Sequence, residues 1–103
     1  MARLIWSPRA RDDLRAIRRH IAQDSRQVAE RFTQRVLDVV GRLESFPLSG
    51  RLVPEDEHGH LREVLVQDYR VIYQVFDGDV EILIIQHGAR RLTDIPECCG
   101  LTG

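Results

Sequence analysis

Apolar positions along this 103-residue chain change their spacing twice, and those changes divide it into helical and extended stretches. Ala10, Leu14, Ile17 and Ile21 recur at intervals of three and four, with Arg11, Arg15, Arg18 and Arg19 largely opposite. That spacing predicts a helix from about Pro8 to Gln23 with a single apolar stripe. Ser7 stands where it can cap the helix, and Pro8 falls in the first turn, where no amide donor is missed. Val28, Phe32, Val36, Val39, Leu43 and Phe46 repeat in the same way, and Ala29, Leu37 and Val40 widen the stripe. They predict a second helix, capped by Asp24 or Ser25 and reaching about Phe46. So short a connection makes the pair an antiparallel hairpin.

The period then shifts to two. "RLIW" (3–6) predicts a first strand ahead of the helices, and "LREVLV" (61–66), "YRVIYQVF" (69–76) and "DVEILIIQH" (79–87) predict three more after them. Between helices and strands, "PLSGRLVPEDEHGH" (47–60) has no period and reads as a surface loop. Gln67-Asp68 can turn the chain. Asp77-Gly78 is a strong two-residue hairpin signal, because both residue types tolerate positive φ. The predicted order is β-α-α-β-β-β, an α+β fold with the helix hairpin on one face of a small, mostly antiparallel sheet.

A two-residue turn at Asp77-Gly78 sets a register in which Ile72 faces Leu83 and Arg70 faces Ile85. One face then holds Val71, Tyr73, Val75, Val80, Ile82 and Ile84, and should lie beneath the helices. The other is mixed: Arg70, Ile72, Gln74, Phe76, Glu81, Leu83, Ile85 and His87. With Gln67-Asp68 as the preceding turn, Glu63 joins the mixed face, and His87 sits diagonally across from Arg70. A carboxylate, a guanidinium and an imidazole are therefore expected together on a face that no helix covers. From the residues alone this is either a solvated cross-strand pair beside a surface histidine, or a binding or catalytic surface. Gly88 is expected to let the chain leave the strand at an unusual angle, with Arg90 and Arg91 immediately after it.

Composition narrows the field. With 43% hydrophobic and 30% charged residues, the chain has the make-up of one globular domain rather than a disordered segment. No apolar run approaches the ~20 residues of a membrane helix, and charges at Arg9 to Asp13 argue against a signal peptide, so the expected location is the cytoplasm. The domain is expected over residues 1–96, with 97–103 a loose tail. Adjacent Cys98 and Cys99 make no disulfide framework and a poor start for zinc. All 15 basic residues are arginine, so lysine cannot be a catalytic base, and any anionic partner would meet guanidinium forks. Residues 1–51 hold 11 arginines against 6 acids, and residues 52–103 hold 4 against 10; the basic half suits an acidic peptide or a nucleic acid. His58 and His60, in a polar loop beside Glu55, Asp56 and Glu57, are read as solvated; no metal and no cofactor is predicted. His20 has no partner of chemical interest, and Trp6 is expected in the core.

"LIWSPRARDDL", the helix pair, "LREV", "YRVIY" and "ILIIQHGARRL", in this order and spacing, resemble the RelE/ParE superfamily of toxins from type II toxin–antitoxin systems, over roughly residues 2 to 95. The ending "QHGARRLTDI" is similar to the ParE-like subgroup. That resemblance implies a non-catalytic inhibitor of DNA gyrase, associated with plasmid stabilization, with Arg90 and Arg91 as target contacts. It also implies a cognate antitoxin partner in a hetero-oligomer, contacted through Arg11, Arg15, Arg18, Leu37 and Val40. RelE-like members imply the alternative, a ribosome-dependent mRNA endoribonuclease. There Arg70 would stabilise the phosphorane, His87 would protonate the leaving oxygen, and Glu63 would act as base. The chain departs from that pattern, having neither lysine nor any aromatic residue after Phe76. A second alternative is a degenerate, non-toxic member that retains only antitoxin binding.

Overall fold

The computed structural model describes residues 2–92. Cys98, Cys99 and the tail expected over residues 97–103 lie outside the described residues. Strand β1 (Arg3–Trp6) leads into helices α1 (Pro8–Ala22) and α2 (Arg26–Gly41). A single 3₁₀ turn, Arg42–Glu44, follows. Then come β2 (Arg51–Leu52), β3 (Leu61–Val66), β4 (Tyr69–Phe76) and β5 (Asp79–His87). The strands form one sheet in the order β1-β5-β4-β3-β2, antiparallel except for the parallel β1–β5 pair. This is the predicted α+β architecture, with β2 added.

Local chemistry explains the helix boundaries. The Ser7 side chain accepts a hydrogen bond from the Ala10 N–H, and Ser25 accepts one from the Val28 N–H, so both caps are serines. The second helix ends at Gly41 rather than near Phe46. Glycine is a poor helix former, and Pro47 biases the residue before it away from helical backbone, so the last turn tightens and stops. Most of the stripe predicted from both helices meets the sheet: Ala10, Phe32, Val36, Val40 and Leu43 pack with Val66, Val71, Tyr73, Val80 and Ile82, whereas Val28 and Phe46, its two ends, stay exposed. Trp6 packs against the same core. Asp77 and Gly78 adopt φ of 51° and 80°, the left-handed pair that an Asp-Gly hairpin supplies cheaply.

Register departs from expectation in mid-strand. From Phe76↔Asp79 to Tyr73↔Ile82 the pairing is as predicted, but Ile72 then faces Ile84, leaving Leu83 as an extra residue in β5. The irregularity falls where β1 stops pairing at Trp6↔Ile82 and the chain turns into α1. There the Ser7 hydroxyl donates to the Leu83 carbonyl at 2.9 Å, and the Ser7 N–H donates to the Ile82 carbonyl. One serine thus caps the helix and holds the bulge.

Beyond Leu83 every β5 side chain is exchanged between faces. Ile85, predicted for the mixed face, packs in the helix-side core; Ile84, predicted for the helix side, joins Val53, Leu61, Ile72, Leu83 and Leu92 in a second core. The loop before β3 therefore folds over the face expected to be open. Asp56 knots that loop, its carboxylate accepting from the N–H groups of His58, His60 and Leu61. Tyr73 fastens the loop's beginning, donating to the Pro47 carbonyl and accepting from the Gly50 N–H.

Candidate functional site

Arg70 and Glu63 come together as predicted, but beneath the surface. Glu63 is 1% exposed and Arg70 5%, because the 47–60 loop covers this face of the sheet. Arg70 Nε and Nη2 lie 2.7 and 2.6 Å from Glu63 Oε1, while Nη1 and Nη2 form a fork on the two Glu55 oxygens at 2.8 and 2.9 Å. Arg51 pairs with the other Glu63 oxygen. Glu55, read from sequence as a solvated loop acid, has a side chain only 12% exposed. Its carboxyl is held down to about 2, first by the Arg70 hydrogen bonds and then by the Leu92 N–H it accepts at 2.8 Å. These same contacts, Glu55 foremost, raise the Arg70 pKa above its ordinary value despite burial. A guanidinium whose fork and Nε all meet carboxylates is a joint between loop, sheet and the segment after β5.

His87 does not join them. Counting on from the bulge, it pairs with Tyr69 while Arg70 faces Gln86, so its ring lies on the α1 side of the sheet. The ring stands edge-on to Tyr69 with centroids 5.4 Å apart, and Tyr69 in turn stands edge-on to buried Phe32 at 5.2 Å. His87 Nδ1 accepts the Ala89 N–H at 3.1 Å, which leaves Nε2 as the ring's donor when the imidazole is neutral. His87, Arg90, Arg9 and Asp13 line one cleft. The predicted trio is thereby corrected to a buried pair on one face and a surface histidine on the other.

The stretch carrying Arg90 and Arg91 is firmly built. The Arg90 carbonyl accepts from Gln86 Nε2 at 3.1 Å, Leu92 is buried, and Gly88 donates to the Asp68 carbonyl. Gly88 serves that close approach rather than an unusual angle: a Cβ there would sit a tight 3.0 Å from the Asp68 carbonyl oxygen. Arg90 and Arg91 themselves remain exposed.

Of the residues predicted to face a partner, Arg11, Arg15 and Arg18 are exposed along α1, and Leu37 is 45% exposed on α2. Val40 is corrected to a core residue at 1% exposure, since it falls on the inward side of the stripe beside Val36 and Leu43. Arg15 and Arg18 share a groove between the helices with Arg19 and Arg26, which sequence spacing alone did not join. No group of histidine, cysteine and acidic side chains suited to a metal ion occurs among the described residues, and none of their helices is long and apolar enough to cross a membrane.

Comparison with known proteins agrees with this fold. Residues 4–92 match the family described as ParE toxin of type II toxin–antitoxin system, parDE. The chain is 41% identical over 91 residues to a Caulobacter vibrioides protein named Toxin RelE2, covering 87% of this chain and 99% of that one. Its fold is similar to a chain from the chromosomal ParDE toxin–antitoxin system of Pseudomonas aeruginosa, with a TM-score of 0.71 at 23% identity, covering 84% and 96% of the two chains. A conserved hypothetical protein of Helicobacter pylori is also similar, with a TM-score of 0.52 at 14% identity and coverage of 86% and 97%. The chain belongs to the ParE toxin family of type II toxin–antitoxin systems, within the RelE/ParE superfamily.

Proposed function

We propose that this chain is a toxin acting on DNA gyrase in the cytoplasm, without catalysis of its own, and kept silent by a cognate antitoxin. The observation that carries the choice of target is the state of Arg70. A nuclease would need that guanidinium free to meet a phosphorane, whereas here Glu55 and Glu63 engage it from both sides. Arg90 and Arg91 stay exposed on a segment held by Gln86, Glu55 and a buried Leu92, which suits a contact surface whose geometry must persist. Antitoxin contacts fall to Arg11, Arg15, Arg18 and Leu37, with an acidic segment ordering as it binds the basic helix pair. Induced expression with separate readouts of DNA, RNA and protein synthesis tests the target. A DNA-damage response with translation intact is expected, and early loss of translation with messenger cleavage would refute gyrase as the target.

That refuting result would favour mRNA cleavage, a reading supported by the name Toxin RelE2 of the Caulobacter relative and by the accessible His87. Its machinery could not be Glu63, Arg70 and His87 acting together across one face. Failure to arrest growth at all would point to a member that retains antitoxin binding alone.

A further inference from the structure

We propose that the cleft between the start of α1 and the end of β5 is a phosphodiester-binding site for single-stranded nucleic acid, formed by Arg9, Tyr69, His87 and Arg90. The inference concerns the free chain and stands whether the toxin's target is gyrase or the ribosome. The cleft, of about 250 Å³, is large enough for a phosphate with part of its sugar.

Its donors come from one helix, two strands and the segment after β5. Arg9 stands in the first turn of α1, Tyr69 and His87 are paired across β4 and β5, and Arg90 follows β5. Two guanidiniums face a single carboxylate, Asp13, so the cleft carries net positive charge. Asp13 Oδ2 is already an acceptor for the Ile85 N–H at 3.0 Å, where β5 has run past the end of β1. Arg9 lies 3.8 Å from Asp13, beyond hydrogen-bond distance, and its side chain is 60% exposed, so its fork can turn to an anion.

Preorganisation separates this cleft from a merely basic surface. Phe32, buried in the core, braces Tyr69; Tyr69 braces His87; and the Ala89 N–H on Nδ1 fixes the imidazole so that Nε2 presents the proton. The Arg90 backbone is held by Gln86. A phosphodiester, with one negative charge shared by two non-bridging oxygens and ester oxygens beside them, can meet two guanidiniums and an imidazole, and the aromatic rings beside it offer a base something to stack on.

Titration of the isotopically labelled full chain with a short oligodeoxynucleotide, and with the oligoribonucleotide of the same sequence, tests the proposal by NMR. The His87 and Tyr69 ring resonances should move, and the more tightly bound of the two oligomers identifies the source of the phosphate. The double variant Arg9→Gln/Arg90→Gln should lose about a hundredfold in affinity, since each of the two lost charge-assisted hydrogen bonds to phosphate is worth about tenfold. Arg19→Gln/Arg26→Gln, in the groove between the helices, is the comparison. Thermal melting confirms that each variant is folded. Unmoved His87 resonances, or an equal loss in the comparison pair, would overturn the assignment.

Discussion

Replacing Arg70 by methionine tests whether the buried guanidinium is a structural joint. The substitution keeps the length of the aliphatic stem and removes four contacts to carboxylates, two to Glu63 and two to Glu55, all between 2.6 and 2.9 Å, with a longer one to the Arg90 carbonyl. Adding these as independent bonds would overcount, because they share one cation and two anions. The governing quantity is the cost of leaving a buried carboxylate without its partner, about 3–5 kcal/mol. Arg51 still reaches Glu63 from a largely exposed position, and Glu55 can relax toward water, so the lower half of that range is expected. For a domain of this size each kcal/mol moves Tm by about 4–8 °C, so Tm should fall by roughly 12–30 °C. Urea and thermal unfolding followed by circular dichroism measure the change. The sign of a second substitution makes the test sharper: Arg70→Met/Glu63→Gln should be more stable than Arg70→Met alone, because it removes a fully buried charge left with only the exposed Arg51 as partner. Toxicity of each variant should follow its folded fraction. If Arg70→Met unfolds within about 1 kcal/mol of the parent yet abolishes toxicity, the joint reading is wrong and Arg70 acts on the target directly.

Further predictions follow from individual contacts. Because Glu55 is held at about 2 in the folded chain against an ordinary value near 4.5, its contribution is complete above pH ~4.5 and is lost as pH falls through about 2. The stability gap between the parent and Glu55→Gln, followed by urea midpoint, should therefore shrink across that window and stay constant above it. Ser7→Ala should cost about 1–2 kcal/mol through the lost helix cap, and amide exchange should quicken near Leu83, whose carbonyl loses its hydroxyl donor. Gly50→Ala should destabilise by at least about 1–3 kcal/mol, since its Cβ would lie 2.5 Å from the Tyr73 hydroxyl and 2.7 Å from the Glu63 carbonyl oxygen; an unchanged melting curve would contradict that packing. Val40→Ala should cost about 2 kcal/mol by denaturant unfolding, whereas Leu37→Ala should leave stability nearly unchanged and weaken antitoxin binding measured by calorimetry.

Sequence by itself determined the elements other than β2 and most of their faces. Helical spacing at Ala10, Leu14, Phe32 and Val36, a cap at Ser7 and another at Asp24 or Ser25, and the Asp77-Gly78 turn are local signals, each satisfied within a few residues of chain. The same locality explains why Glu63 and Arg70 were legible as neighbours: one short turn at Gln67-Asp68 sets their register. Tertiary structure decided the rest. Ile82, Leu83, Ile84 and Ile85 are four apolar residues in a row, so no polar partner marks which of them faces which way, and a bulge among them leaves no trace in the pattern. Its position depends on where β1 ends and where Ser7 docks, some 76 residues away in sequence. That single extra residue carries His87 to the α1 side of the sheet. The burial of Arg70 was equally beyond local reach, because it requires an acidic loop with no period of its own to fold over the sheet, and only the opposing guanidinium makes burying Glu55 and Glu63 there affordable.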